Sequence, residues 1–346
     1  MSLVSSIFYT ADFSGCGFLR SFLPCDYLNS VYGNTKQFMG IVSGRLFGDH
    51  NLLKSLQIIR FQRQTSSLQV TYIHQIAQLK RSGVIKAGLI YDLDDLFTDI
   101  PDYNYCKPYY NHAESINALN TIFDSVDIFT TSTEYLKKKM QEIRGNKIIS
   151  CNFQVVPNLI PKFLYHRESI KEQTTKPRIV WAGSATHYSD SNLGDLGLIY
   201  DLIKNTQEEF DWHIIGTKVK QFEGMNVTQH PWVNNFYAYP KALRDINADF
   251  GISALLDNEF NRCKSNIKLL EYSAAQAITI SSKVEPYLKE SSLFLTGDWK
   301  TDRETIIEVY TNKQKKEELL NKQNSMLDNY WMETNMRHYV NLLGIR

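Results

Sequence analysis

Residues 260–282, FNRCKSNIKLLEYSAAQAITISS, carry a helical pattern directly before a β-branched strand pattern. The helical part runs from Lys264 to Ala275, and the strand part is AITISS at residues 277–282. An apolar strand pattern, ADFGISALL at residues 248–256, comes before this segment. A helix that connects two strands is the crossover unit of a parallel sheet, so this stretch predicts an α/β fold.

The same alternation of strand and helix patterns extends along the chain in both directions. Before residue 160, strands are predicted at residues 3–10, 56–61, 86–93, 126–132 and 148–158. After residue 177, further strands are predicted at residues 178–184, 211–216 and 292–298. The helical patterns cover residues 19–29, 69–82, 133–144, 190–205 and 302–343. Residues 160–177 are polar without strong periodicity and are predicted to form a linker or hinge.

The chain of 346 residues is too long for one ordinary core and predicts two domains of about 150 residues each. The fold class is therefore α/β, with two Rossmann-like, doubly wound domains that face a cleft. The predicted boundaries are 1–160 for the N-terminal domain, 161–177 for the linker, 178–328 for the C-terminal domain and 329–346 for a terminal helix. Ligands of such sheets bind beyond the carboxyl ends of the strands, so the glycine turns at residues 15–17 and 183–184 are expected to open into the cleft.

The composition is that of a globular protein, with 43% hydrophobic and 22% charged residues. Lys+Arg (38) nearly balances Asp+Glu (37), so a nucleic acid or an anionic membrane would have to be held by a local patch. The five cysteines fit no zinc spacing and are expected to be reduced thiols of a cytoplasmic protein. No signal peptide and no apolar run of about 18 residues is evident, so we expect no membrane insertion. No Ser-His-Asp set, Walker loop or RNA-binding sheet motif is present either.

The first candidate site is the glycine turn SGCGFLR at residues 14–20. Gly15 and Gly17 allow close approach of a ligand to the backbone, and the following helix offers free N–H groups to an anion. Arg20 would add positive charge at the floor of the cleft. The alternative is a plain turn between a strand and a helix.

The second candidate is WAGSATHYSDSNLGD at residues 181–195. Gly183 and Ser184 end a strand, where backbone amides and a hydroxyl suit a diphosphate. His187 would donate a hydrogen bond to a phosphate oxygen or act on the acceptor side. The alternative is that Asp190 or its neighbour caps a helix and that His187 is solvated.

The third candidate is the segment quoted first. Lys264 would place a point charge beside phosphates where the helix begins. Glu271 lies two turns further on the same face, where a carboxylate can accept both hydroxyls of a ribose. The alternative is a solvated helix that carries an i, i+3 ion pair between Lys268 and Glu271.

The fourth candidate is IYDLDDLF at residues 90–97, which brings Asp92, Asp94 and Asp95 to the end of a strand. Clustered carboxylates suit a divalent metal, general acid–base chemistry or helix capping, and we expect no dedicated metal site. Residues 58–67 and 101–110 add arginines and tyrosines, which suit a sugar, a base or a polar polymer unless the rings pack in a core.

Together these stretches resemble the GT-B glycosyltransferases, in particular the retaining branch that uses nucleotide sugars. The resemblance is strongest from Asn261 to Ala274, which reads N-R-x-K-S-N-x-K-x-x-E-Y-x-A, and in RIVWAGSATHYSD from Arg178. In the first half, TADFSGCGFLRSFLP (10–24), RFQR (60–63) and YDLDDLF (91–97) look like the version of this fold in bacterial and tailed-phage enzymes.

The resemblance implies an enzyme whose C-terminal domain binds a nucleotide-diphosphate sugar, whose N-terminal domain holds the acceptor, and whose last helices cross back onto the first domain. It implies no metal and no cofactor beyond the sugar donor. The predicted catalytic residues are Lys264, His187 and Asp92. The predicted donor-binding residues are Gly183, Ser184, Ser265, Asn266, Glu271 and Arg262. The predicted acceptor-side residues are Gly15, Cys16, Gly17, Arg20, Asp94 and Asp95.

The chain also departs from the family pattern in two places. Many retaining relatives carry two glutamates eight positions apart, and the earlier one falls on Cys263 here. They also place an arginine and a lysine near residues 178–183, where this chain has Ser184 and His187.

Phage enzymes of this type resemble those that glycosylate hydroxymethylated pyrimidines in DNA, and we predict 5-hydroxymethylcytosine or a similar base as the acceptor. The phosphates would be held by a patch of basic residues: Arg45, Lys54, Arg60, Arg63, Lys80 and Arg81. The alternatives are a polysaccharide or protein glycosyltransferase and a non-catalytic nucleotide-sugar binding module. If the chain is phage-encoded, it would act in the cytoplasm of the host cell.

Overall fold

A computed structural model describes residues 3–146, 151–167, 175–189, 191–216 and 218–345 of the chain. The start of the strand predicted at 148–158, residues 168–174 of the predicted linker, and the predicted helix cap at Asp190 lie outside the described residues.

The first domain is built on a parallel sheet of six strands. The strands are β1 (Val4–Thr10), β2 (Phe38–Ser43), β3 (Ile58–Gln62), β4 (Gly88–Leu93), β5 (Ile128–Thr131) and β6 (Asn152–Val155). Their spatial order is β2-β1-β3-β4-β5-β6, which places the topological switch point between β1 and β3. The sequence patterns located every strand except β2, an edge strand whose Met39 and Ile41 are exposed.

The second domain repeats this design. Its strands are β7 (Arg178–Gly183), β8 (Asp211–Gly216), β9 (Val227–His230), β10 (Phe250–Ser253), β11 (Ile278–Ser281) and β12 (Leu293–Phe294). They are parallel and lie in the order β12-β11-β10-β7-β8-β9, with the switch point between β7 and β10. The strand β9 was not predicted, because VTQH lacks the apolar residues of a buried strand. The predicted fold class of two Rossmann-like domains is confirmed.

Helices cover both sheets. In the first domain a continuous helical segment consists of Gly15–Gly17, a π-helical turn Phe18–Phe22 and Leu23–Tyr32, and the other helices are His50–Ser55, Ser67–Arg81, Lys107–Tyr109, His112–Phe123 and Glu134–Arg144. In the second domain they are Lys162–Tyr165, Ala185–His187, Gly194–Leu196, Gly197–Thr206, Lys220–Phe222, Ala238–Asp245, Glu259–Arg262 and Ile267–Ala274. The tail consists of Trp299–Thr311, Lys313–Leu327, Met332–Asn335 and Arg337–Leu343.

The helix predicted from Lys264 begins three residues later, at Ile267. The amide of Lys264 donates to the carbonyl of Asn261 and closes the short helix Glu259–Arg262. Lys264 therefore lies in the loop between two helices.

The C-terminal helices cross from the second domain to the first. Gln323 bonds the backbone of β11 through Thr279 N (2.8 Å), whereas the Tyr339 hydroxyl donates to the carbonyl of Arg20 (3.3 Å). The ring of Tyr339 also lies 5.7 Å from the guanidinium of Arg60. The expected return of the chain to the first domain is confirmed.

Asp92 and Arg20 belong to the core of the first domain. Asp92 accepts two bonds from Arg20 (2.5 and 3.0 Å) and one from Thr130 (2.6 Å), and its second oxygen lies 2.9 Å from Arg60 Nη2. Asp92, Arg20 and Arg60 are all 0% exposed. The expectations that Asp92 is catalytic and that Arg20 lies on the cleft floor are therefore wrong, because their charges neutralise one another away from solvent.

A histidine pair joins β8 to β9. His213 Nδ1 lies 2.8 Å from His230 Nε2, and the two rings stack with centroids 5.1 Å apart. Burial lowers the pKa of both rings; Asp211, 3.2 Å from His213, opposes this for His213. Each ring binds its proton more weakly in the folded than in the unfolded chain, so their contribution to stability is lost as the pH falls below about 6.5.

We expect His230→Gln to reduce this pH dependence, because glutamine keeps a polar partner for His213 and does not titrate. The free energy of unfolding, measured in urea at pH 7.5 and 5.5, should decrease less in the variant than in the wild type. His50→Gln, at an exposed position, is the control and should leave the decrease unchanged. Equal decreases in all three proteins would contradict the prediction.

Candidate functional site

The carboxyl ends of the two sheets meet at the cleft between the domains. Several contacts join side chains that follow strands of the first sheet to side chains that follow strands of the second, among them Asp95 Oδ1 to Lys264 Nζ (3.7 Å), Asn158 Nδ2 to Ser265 Oγ (2.8 Å) and the Tyr103 hydroxyl to Asp195 Oδ1 (3.0 Å). Residues predicted for the donor side and for the acceptor side are thus brought together.

Lys264 lies inside this cleft. Its side chain is 15% exposed, and its ammonium sits 4.5 Å above the ring of Phe260. The 3.7 Å separation from Asp95 is longer than a hydrogen bond, so that contact leaves donor capacity on the ammonium for a second anion.

His187 is positioned by a carboxylate that the sequence analysis missed. His187 lies in the turn Ala185–His187 directly after Ser184, and its Nδ1 is 2.8 Å from Asp195 Oδ2. Burial lowers the pKa of His187; the bond to Asp195 opposes this, and the ammonium of Lys264 adds to the lowering. The imidazole is therefore neutral near pH 7, and Asp195 holds the Nδ1–H tautomer.

Asp195 is itself 1% exposed and accepts further hydrogen bonds from three segments. The donors are the Tyr103 hydroxyl (3.0 Å), the side-chain amide of Asn261 (2.8 Å) and the backbone amide of Leu256 (2.7 Å). No local pattern identifies such a residue, because its partners come from distant parts of the chain.

Glu271 is enclosed rather than open. It is 5% exposed, and its Oε2 accepts from Lys268 Nζ (2.8 Å) and from the Tyr239 hydroxyl (2.9 Å). The i, i+3 pair with Lys268 is thus present, but on a largely buried face instead of a solvated one. Contact between Glu271 and a ribose stays a prediction.

The residues predicted at the diphosphate separate into two groups. Gly183 and Ser184 lie at the end of β7, and the Ser184 hydroxyl is 2.6 Å from Thr186 Oγ1. Ser265 accepts the bond from Asn158 described above. These residues and Lys264 lie around the switch point of the second sheet.

The side chains of Arg262 and Asn266 bind carboxylates of the chain itself. Arg262 donates two bonds to Asp257 (2.6 and 3.0 Å), and Asn266, 8% exposed, donates to Glu290. Donor binding by Arg262 and Asn266 stays a prediction, and it would require each side chain to share or exchange its carboxylate partner.

The glycine turn at residues 15–17 binds an anion that belongs to the chain itself. Asp12 Oδ1 accepts from the amides of Ser14 (2.8 Å) and Gly17 (3.2 Å). A Cβ atom at Gly17 would lie 1.8 Å from the carbonyl oxygen of Asp12, so glycine is needed for close approach of the chain and not of a ligand. The alternative of a plain turn describes Gly15 and Gly17 better than an anion site.

Arg63 lies among acidic side chains of the region that was predicted to hold the acceptor. Its guanidinium is 3.2 Å from Asp12, 4.0 Å from Asp94 and 3.9 Å from Asp95, and it donates to Cys16 Sγ (3.4 Å). Burial raises the pKa of Asp94, and Arg63 opposes this rise. Asp95 lies at the cleft, where it contacts Lys264 (3.7 Å), whereas Asp94 is 6% exposed beside Arg63.

Two findings concern the described part of the chain as a whole. Within the residues that the structure describes, no group of three or more metal-ligating side chains is arranged to hold a metal ion. No helix in those same ranges is long and apolar enough to cross a membrane.

A cavity of about 400 Å³ lies in the segment that follows β4. Its lining begins two residues after Asp95 and includes rings, a carboxylate and a cation: Phe97, Asp99, Lys107, Tyr110 and His112. Tyr105 and Tyr109 of the same loop are exposed, whereas Tyr103 is buried, so the tyrosine-rich segment is partly a surface and partly a domain contact.

No family model matches the sequence, and no curated protein matches it. Solved structures do match. TarM of S. aureus, in complex with fondaparinux, alpha-GlcNAc-glycerol and UDP, is 11% identical, with a TM-score of 0.58 over 85% of this chain and 57% of TarM. The alpha,alpha-trehalose 6-phosphate synthase from Burkholderia multivorans is 9% identical, with a TM-score of 0.58 over 99% of this chain and 98% of the synthase.

A T4 phage BGT mutant in complex with UDP-glucose is 10% identical, with a TM-score of 0.54 over 99% of both chains. The present chain spans little more than half the length of TarM. At these identities the similarity shows the fold, which is the GT-B fold of these proteins.

Proposed function

We propose that this GT-B chain transfers a sugar from a nucleotide-diphosphate sugar to a hydroxyl group in the cleft between its domains. The observation that carries the proposal is the ammonium of Lys264, which is held in the cleft with capacity for a second anion. The similarity to proteins solved with UDP or UDP-glucose supports the same kind of donor.

In the proposed reaction the bond between the anomeric carbon and the diphosphate oxygen breaks, and its electron pair leaves with the nucleoside diphosphate. A bond forms between the anomeric carbon and the acceptor oxygen, and the proton of that hydroxyl passes to Nε2 of the neutral His187, whose Nδ1–H is held by Asp195. Lys264, the Gly183–Ser184 turn and the free amides of the helix Ile267–Ala274 would stabilise the charge on the leaving group. Asp94 and Asp95 are the carboxylates on the side where the acceptor would lie.

Two finer features belong to the same proposal. Retention of the anomeric configuration rests on the pattern from Asn261 to Ala274 alone, and NMR of the product would test it. Contacts across the cleft, such as Asn158 to Ser265, support a closed arrangement that limits water access to the donor.

For the acceptor, the charge distribution favours a neutral polyhydroxyl compound such as a saccharide over DNA. Of the basic patch predicted for DNA, Arg60 is buried beside Asp92, and Arg63 is surrounded by three carboxylates. Lys80 is paired with Asp127. Only isolated exposed cations remain from that set: Arg45, Lys54 and Arg81. The cavity that contains Phe97, Asp99 and Tyr110 has a size and lining that suit a sugar unit.

The test is to incubate the protein with a panel of nucleotide sugars and three acceptors: a saccharide mixture, plain duplex DNA and hydroxymethylated duplex DNA. We expect release of nucleoside diphosphate and a mass increase of one sugar unit on a saccharide. A mass increase on hydroxymethylated DNA would show that the acceptor is DNA and not a saccharide. Donor binding in calorimetry without transfer or hydrolysis would indicate a binding module, and absence of binding to every donor would refute the proposal.

A further inference from the structure

Tyr103 connects the first domain to the candidate site in the second. It lies in the loop after β4, is 6% exposed, and donates its hydroxyl hydrogen to Asp195 Oδ1 (3.0 Å). The same hydroxyl accepts from the side-chain amides of Asn261 (3.0 Å) and Asn258 (3.3 Å). A single hydroxyl of the first domain thus contacts three side chains of the second.

The ring of Tyr103 also packs closely against the second domain. Gly194, with φ of +49°, lies against it, and a Cβ atom at that position would be 2.7 Å from the ring and 2.4 Å from the carbonyl oxygen of His187. The loop of the first domain therefore docks on the segment that carries both Asp195 and His187.

We propose that Tyr103 is a positioning residue: docked on the second domain, its hydroxyl shares the carboxylate of Asp195 and thereby sets the orientation and proton affinity of His187. The effect of Tyr103 on sugar transfer rests on the proposed function. The hydrogen-bond link from Tyr103 through Asp195 to His187 does not depend on it. Closure of the two domains would then complete the site through a specific bond.

The hydrogen bonds of Asp195 connect Tyr103 to His187. Its carboxylate accepts from His187, Tyr103, Asn261 and the amide of Leu256. Each donor withdraws charge from the carboxylate, so removal of the Tyr103 hydroxyl strengthens the remaining bond to His187. A stronger partner stabilises the protonated imidazole and raises the pKa of His187.

The charged groups that face His187 come from several elements. Asp195 lies in the turn Gly194–Leu196, Lys264 in the loop before the helix Ile267–Ala274, and Lys268 on that helix. The two ammonium groups oppose protonation of the ring, and Asp195 favours it. Tyr103 is linked to the ring by hydrogen bonds through Asp195, whereas the two lysines act on it through their charge, so the two effects can be separated.

The experiment compares Tyr103→Phe with Tyr135→Phe. Tyr135 also donates a hydroxyl across the domains, to Glu259 (3.3 Å), but this bond does not reach His187, so the variant is a matched control. Protein labelled with 13C in the histidine rings is titrated by NMR, and the His187 signal is assigned by its loss in His187→Gln. Transfer is assayed in parallel with the donor found for the wild type.

We expect the pKa of His187 to rise by about half a pH unit in Tyr103→Phe. This shift is smaller than the one expected from the loss of an entire hydrogen bond, because the bond from His187 to Asp195 is strengthened and not removed. With transfer established, kcat should fall roughly tenfold while KM for the donor changes less than about threefold. Tyr135→Phe should change neither quantity.

The outcomes separate the two proposals. An unchanged pKa of His187 in Tyr103→Phe, with the histidine spectrum of a folded protein, would overturn the positioning role. A raised pKa in a protein that transfers no sugar from any donor would support the link from Tyr103 to His187 and refute the proposed function instead.

Discussion

Replacement of Lys264 by alanine is expected to lower kcat for sugar transfer by about 10²–10³-fold, the cost of removing one preorganised group that stabilises developing charge. The diphosphate gains negative charge as it leaves, and the ammonium of Lys264 is the cleft cation with donor capacity left after its contact with Asp95. The free energy of unfolding should change by less than about 1 kcal/mol, because a partly solvated ion pair at 3.7 Å contributes little.

The measurement is the initial rate of nucleoside diphosphate release together with urea unfolding. Lys283→Ala removes an exposed lysine of the same domain and is the matched control, which should retain full activity. Lys264→Arg keeps the charge and should retain part of the rate. Normal turnover in Lys264→Ala would show that Lys264 does not stabilise the leaving group.

Replacement of Asp92 by alanine is expected to lower the free energy of unfolding of the first domain by about 3–5 kcal/mol, the usual cost of breaking a buried ion pair. Arg20 and Arg60 would be left as buried guanidinium groups without their shared carboxylate. Burial raises the pKa of Asp92, but Arg20, Arg60 and the Thr130 hydroxyl together lower it by more, so the group is a carboxylate in the folded protein.

Urea unfolding followed by circular dichroism measures the loss, and Asp245→Ala is the control. Asp245 forms an exposed i, i+4 pair with Lys241, which is worth about 0.2–0.5 kcal/mol. Asp92→Asn is a milder variant that should fold even if the alanine variant does not, and it should also be destabilised. A loss as small as that of Asp245→Ala would show that Asp92 does not hold the core together.

Much of the fold could be predicted because the alternation of strand and helix patterns is a local property. Ten of the twelve strands in the described residues correspond to predicted segments, and the exceptions are β2 and β9. In β2 buried residues alternate with exposed ones and β9 reads VTQH, so both lack the apolar run by which the other two edge strands, β6 and β12, were predicted.

The candidate site was predictable only in part. Lys264, His187 and Asp95 do meet at the cleft, because residues that follow parallel strands collect at one edge of a sheet. Arg262 and Asn266 were placed with them by the same reasoning, yet each is bound to a carboxylate that the local pattern does not reveal.

The amino-acid sequence alone determined two parallel α/β domains and the segments that reach the cleft, since periodicity and strand ends depend on neighbours along the chain. The tertiary structure decided which of the charged residues in those segments are free. Asp92 is neutralised by an arginine 72 positions away, and Asp195 accepts from a tyrosine 92 positions away. The charge and accessibility of a side chain depend on groups that only folding brings near, and no local pattern encodes them.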